Sequence, residues 1–168
     1  MAELSPRDRL QPFLLDRLTD EQPEAKQESR DRRSFSPKQI QGCILRDLGW
    51  LLNAKAHPIA DGLEEFPQVA KSVLNYGIQD FAGSCISSVD VHQLERMVVE
   101  ALRNFEPRLM SHTLSVRLLT EAETHSPNIM AFEIKGEIIA NPLSDPLYIK
   151  TEIDLETGQF ALKDRAHG

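Results

Sequence analysis

The chain has 168 residues, 40% of them hydrophobic and 27% charged, which suits one globular domain with an appendage. Its 26 acids against 19 bases leave a net charge of -7, the wrong sign for a nucleic-acid partner or an anionic membrane surface. The two cysteines, Cys43 and Cys85, form no CxxC pair, so neither a disulfide framework nor a zinc site is expected and both read as reduced, largely buried thiols.

The first predicted element is a small apolar cluster: Leu10, Phe13, Leu14, Leu15 and Leu18. Leu10, Leu14 and Leu18 share one helical face, and Pro12 suits a first turn, where its missing N–H costs nothing. Gln11, Pro12, Asp16 and Arg17 interrupt the run, so it is no secretion signal. No stretch approaches the ~18 apolar residues of a membrane span, and a cytoplasmic protein without membrane insertion is expected. The stretch 19–34 follows, TDEQPEAKQESRDRRS, with no large apolar residue and both signs of charge. It cannot bury enough surface to offset its ordering entropy and reads as a flexible linker. Residues 1–18 therefore form an apolar knob on a polar string. Such a knob either folds back onto its own domain or docks its apolar face in a partner's groove.

The predicted globular domain covers residues 35–163, with a tail over 164–168. Ser36 and Gln39 form a capping box around Pro37, with Phe35 and Ile40 placed as a hydrophobic staple. Ile40, Ile44, Leu48, Leu51 and Leu52 then keep helical spacing, and the helix should end between Asn53 and His57, before Pro58. Pro67 opens a short helix through Val69, Val73 and Leu74, closed by Asn75-Tyr76-Gly77 with Gly77 left-handed. Asp90 and Gln93 form a second box, stapled by Val89 and Leu94, ahead of the stripe Leu94, Val98, Ala101, Leu102 and Phe105. Pro107 stops that helix, because its ring clashes with the preceding turn and it has no N–H to donate. Glu106 and Arg108 flank the proline, so the tripeptide is a plain helix stop or a fixed corner displaying two opposite charges.

After the corner the period changes from 3.6 to 2. Leu114–Leu118, Phe132–Ile138, Leu147–Leu155 and Phe160–Leu162 alternate apolar with polar, and Glu156-Thr157-Gly158 makes the last two a hairpin. The predicted fold class is α+β, with N-terminal helices packed on one face of a C-terminal antiparallel sheet of about four strands.

Little points to catalysis. The histidines lack HxxxH or HExxH spacing, and there is no GxSxG, Walker or GxGxxG motif, so no catalytic residue, metal or cofactor is assigned. Glu106 beside Arg108 favours the charged form of the carboxyl and opposes a role as proton donor.

Four motifs in order carry a resemblance: PFLLDRLTD, then SVLNYGIQD, then FEPRL, then IDLETGQF. Together they resemble the TssE-like subunits of the type VI secretion baseplate, a branch of the phage tail-wedge superfamily sometimes labelled lysozyme-like. The resemblance implies a structural part of a cytoplasmic wedge held with TssF and TssG, with TssK and the TssB/TssC sheath as further partners. It implies wedge contacts for Glu106, Pro107 and Arg108, and a docking role for the segment holding Phe13, Leu14, Leu15 and Leu18. The family commonly has a small residue where this chain has Phe13. It also implies that an exposed sheet edge, sought between Leu147 and Leu162, accepts strands from the first sheath ring. The runner-up is a peptidoglycan hydrolase of lysozyme type.

Overall fold

A computed structural model describes residues 13–19, 24, 35–57, 63–83, 90–119, 128–139 and 145–164. The four helices are α1 (Leu14–Leu18), α2 (Pro37–Asn53), α3 (Pro67–Ala70) and α4 (Val91–Phe105), and the four strands are β1 (Ser115–Leu118), β2 (Ile129–Ile138), β3 (Asp145–Asp154) and β4 (Gln159–Asp164). Except for Thr19 and Glu24, the proposed linker lies outside the described residues, as do residues 1–12 and most of the tail.

Helix α2 starts where its capping chemistry says it should. Ser36 Oγ accepts from Gln39 N at 3.3 Å, and Gln39 Oε1 accepts from Ser36 N at 2.9 Å. Ile44 and Leu48 are wholly buried on its inner face. Asp90 caps α4 by accepting from His92 N and Gln93 N; its staple residue Val89 is outside the described set. Leu94, Val98, Ala101 and Leu102 of α4 are buried, and Phe105 meets Tyr76 edge to face at 5.3 Å.

The strands form an antiparallel meander in the order β1-β2-β3-β4. Phe132 pairs with Thr151, Ile134 with Ile149 and Ile153 with Phe160. Phe132, Ile134, Leu147, Ile149 and Ile153 join the helices' apolar stripes in one core. The fold is α+β, helices in the N-terminal half and the sheet in the C-terminal half. At the β3–β4 turn Gly158 takes a φ of +70°, and Asp154 accepts from Glu156 N at 2.8 Å.

The segment 63–83 departs from expectation in one respect. The single short helix divides: α3 stops at Ala70, and a separate 3-10 turn spans Val73–Asn75. Ser72 causes the break, since its hydroxyl donates to Val69 O at 2.9 Å and accepts from Leu74 N at 3.3 Å. Val73 and Leu74 consequently face solvent. Gly77 does take positive φ, at +122°, and a Cβ there would lie 2.3 Å from Ala54 O. That approach lets Ile78 N reach Ala54 O at 3.0 Å and ties the segment to the end of α2.

Candidate functional site

The Glu106-Pro107-Arg108 corner is stitched to the sheet by its main chain. Helix α4 ends at Phe105, and Leu109 bridges to Ile138 at the end of β2. Ile139 N donates to Arg108 O at 2.7 Å, and Met110 N to Glu137 O at 2.9 Å. The helix stop and the start of the sheet are one rigid unit, so the side chains of Glu106 and Arg108 leave it in fixed directions.

Those side chains turn toward each other. Arg108 Nε donates to Glu106 Oε1 at 2.5 Å, and its Nη2 bonds Glu106 Oε2, giving a bidentate pair. The Glu106 side chain is only 4% exposed and that of Arg108 16%. The third nitrogen, Nη1, lies 2.8 Å from Asp47 Oδ2 on α2. The flat face of the guanidinium covers the Phe13 ring at 4.4 Å, a cation–π contact. Burial opposes the charge on Arg108, but Glu106 and Asp47 outweigh it and hold the guanidinium above its ordinary range. Burial, with Asp47 and Glu106 close by, also pushes the Tyr76 phenol up.

The network continues along α2. Arg46 Nε donates to Asp47 Oδ1 at 2.8 Å, and Arg46 Nη1 donates to Asp16 Oδ1 of α1 at 2.6 Å. Arg46 also covers Trp50 at 5.1 Å. Three acids and two bases thus alternate across the corner, α2 and α1 in the order Glu106, Arg108, Asp47, Arg46, Asp16. Beside them, burial first and then the neighbouring Asp16 carboxylate push the Cys43 thiol up to about 11.

The four apolar residues expected at a docking site divide into two groups. Phe13 turns inward onto Arg108. Leu14, Leu15 and Leu18 are 70%, 43% and 74% exposed. Helix α1 is therefore seated by an aromatic ring and a carboxylate, and its leucines face away. Sequence reasoning missed Asp16, Arg46, Asp47 and Trp50. Asp47 offered a signal: it stands three residues after Ile44 and four before Leu51, at the margin of the buried stripe of α2. A charge at that margin needs a partner.

Of the two strands in which an edge was sought, β4 lies at the edge of the sheet and β3 inside it. Strand β3 pairs with β2 along its length and with β4 from Ile149 onward, so Ile149 to Asp154 offer no edge. On β1, Leu118 N donates to Glu95 Oε1 at 2.7 Å. On β4, the Asn53 amide accepts from Phe160 N at 2.9 Å and donates to Phe160 O at 3.0 Å, filling the place a strand would take. By alternation, the next outward main-chain pair on that edge belongs to Leu162.

Among the described residues no group of three His, Cys, Asp or Glu side chains could hold a metal ion, and no helix is long and apolar enough to cross a membrane. No curated protein and no solved structure matches the chain. The family of the baseplate wedge protein gp25 matches residues 38–143, more than half the chain, from the first turn of α2 past the end of β2 and across the whole corner. On that match, and with helices leading through the Glu-Pro-Arg corner into the sheet, the chain belongs to the baseplate wedge protein gp25 family.

Proposed function

We propose that this protein is a TssE-type wedge subunit of a type VI secretion baseplate, a structural component and not an enzyme, working in the cytoplasm. Its partners on this reading are TssF and TssG, with TssK and the TssB/TssC sheath further out. The gp25-family match carries the structural role. The outward leucines of α1 support a direct partner contact there, because a helix normally turns its apolar face toward its own core. Glu106, Pro107 and Arg108 remain candidate wedge residues, as do Phe13, Leu14, Leu15 and Leu18. Sheath subunits would add at β4 beyond Asn53, at the outward main-chain pair of Leu162. The hydrolase reading loses ground here, since both oxygens of Glu106 are bonded to Arg108.

The test is capture of TssF and TssG by the purified chain and by a Leu14→Glu, Leu18→Glu variant. Burying one leucine is worth ~1.5–3 kcal/mol, so losing two should weaken capture by about a hundredfold or more. Wild-type binding in the variant would remove α1 from the interface. Cell-wall turnover by the wild type that vanishes in Glu106→Gln would restore the hydrolase.

A further inference from the structure

We infer that the Glu106-Pro107-Arg108 corner serves assembly at second hand: it is the fixed end of a latch that seats α1 on α2 with its leucines outward. This rests on the wedge reading for its partner, but the latch itself is a property of the chain alone. Three observations point to it.

First, Arg108 has little left to offer a partner. Its Nε, Nη1 and Nη2 each face a carboxylate of the same chain, and one face of its guanidinium is covered by Phe13. Second, α1 cannot stand alone. It has five residues and no side-chain cap, and a helix that short does not persist in water. Its order comes from Phe13 on Arg108 and Asp16 on Arg46, two contacts three residues apart on one face. Leu14 and Leu18, four residues apart, share another face, so the anchors decide where these leucines point. Third, Asp16 is buried at the seat beside the Cys43 thiol, which burial and, by hydrogen bonding and charge, the Asp16 carboxylate push up.

Asp47 and Arg46 are then positioning residues. They transmit the direction of the corner to α1 without touching the partner themselves. Partner binding should depend on Arg108 only as long as Phe13 is present.

Cys43 reports the latch without any partner. Burial and Asp16 push its thiol up and keep it protonated, and departure of α1 takes Asp16 away. At pH 8 a return toward an ordinary thiol raises the thiolate fraction by about a hundredfold. The accompanying loss of nucleophilicity offsets part of this, leaving alkylation about tenfold faster. In a Cys85→Ser background Cys43 is the only cysteine in the sequence. Iodoacetamide should modify it about tenfold faster in Phe13→Ala and in Asp16→Asn, and Arg108→Lys, which keeps the charge but loses the fork, should fall between. Unchanged alkylation in both Phe13→Ala and Asp16→Asn would overturn the latch. The second arm is a double-mutant cycle on capture of TssF and TssG. Arg108→Lys should weaken capture in the wild-type background and have no further effect in Phe13→Ala. Additive losses would show that Arg108 meets the partner directly and would overturn the inference. Should the wild type capture neither protein, the wedge reading fails while alkylation still decides the latch.

Discussion

The two long helices end in opposite ways. Helix α2 closes on Asn53, a neutral amide that bonds both main-chain groups of Phe160 and completes the β4 edge. Helix α4 closes on Glu106, a buried carboxylate whose partner Arg108 reaches out to Asp47 and Phe13. Asn53 is the last residue of its helix and Glu106 the cap of the other, and each end reaches parts of the chain remote in sequence, the second through Arg108. The neutral end finishes a surface of the domain itself. The charged end seats a short helix whose leucines remain open. An amide suits the first task, giving one strand position an acceptor and a donor and keeping a second N–H for Gly49 O. A guanidinium suits the second, having several donors in a rigid fork and a face for an aromatic ring.

The largest expected effect comes from breaking the charged end. Arg108→Ala leaves Glu106 buried with neither of its guanidinium bonds and removes one partner of Asp47. Half-made buried pairs cost about 3–5 kcal/mol, and the residual exposure of Arg108 puts this one near the lower figure, about 3 kcal/mol. Urea unfolding should show a lower midpoint with an unchanged slope. A loss below ~1 kcal/mol would mean that Glu106 finds another partner and that the corner is not the keystone of the network.

Breaking the neutral end should cost less and act only locally. Asn53→Ala strands Phe160 N and O and also removes the bond to Gly49 O, for about 2 kcal/mol. Cys43 alkylation should stay at the wild-type rate, because no contact of Asn53 reaches α1. Faster alkylation in Asn53→Ala would erase the distinction between the two ends. Asn53→Asp sharpens it further: a carboxylate still accepts from Phe160 N but cannot donate to Phe160 O or Gly49 O and sets an oxygen against both carbonyls, so most of the loss should remain.

These residues also show how far the sequence could be read. The capping box at Ser36, the stop at Pro107 and the period-2 strands are local signals, and each element stands where its signal put it. The α+β architecture follows from their order. Ser72 was a local signal overlooked, and its competing hydrogen bonds split the predicted helix. Strand order within the sheet is not local, so β3 could be mistaken for an edge until its two neighbours were known. The site was legible in part. Glu106 beside Arg108 announces a pair at a separation of two residues. The contacts that give the pair its reach, Asp16 with Arg46 and Phe13 with Arg108, span 30 and 95 residues, and no pattern of spacing encodes them. For the same reason Phe13 was grouped with the leucines: hydrophobicity says that a side chain seeks cover but does not say whose.

Salt separates the two helix ends most finely. The Arg46 side chain is 36% exposed, so its pair with Asp16 lies where mobile ions can compete. The Arg108–Glu106 pair and the Asn53–Phe160 bonds do not: the first is buried and the second carries no net charge. Raising NaCl from about 0.05 M to about 1 M shortens the screening length from over ~10 Å to about 3 Å. An exposed pair is worth ~0.2–1 kcal/mol, so docking of α1 should weaken by no more than about fivefold. Amide exchange reads this directly. Arg17 N and Thr19 N bond Phe13 O and Leu15 O at 3.0 Å only while α1 is formed, so their exchange should quicken about two- to fivefold. Phe160 N should exchange at the same rate at both salt levels. If Arg17 and Thr19 do not respond, Phe13 holds the helix and Asp16 is incidental. If Phe160 quickens with them, salt is loosening the whole domain, and the charged and neutral ends are one cooperative structure.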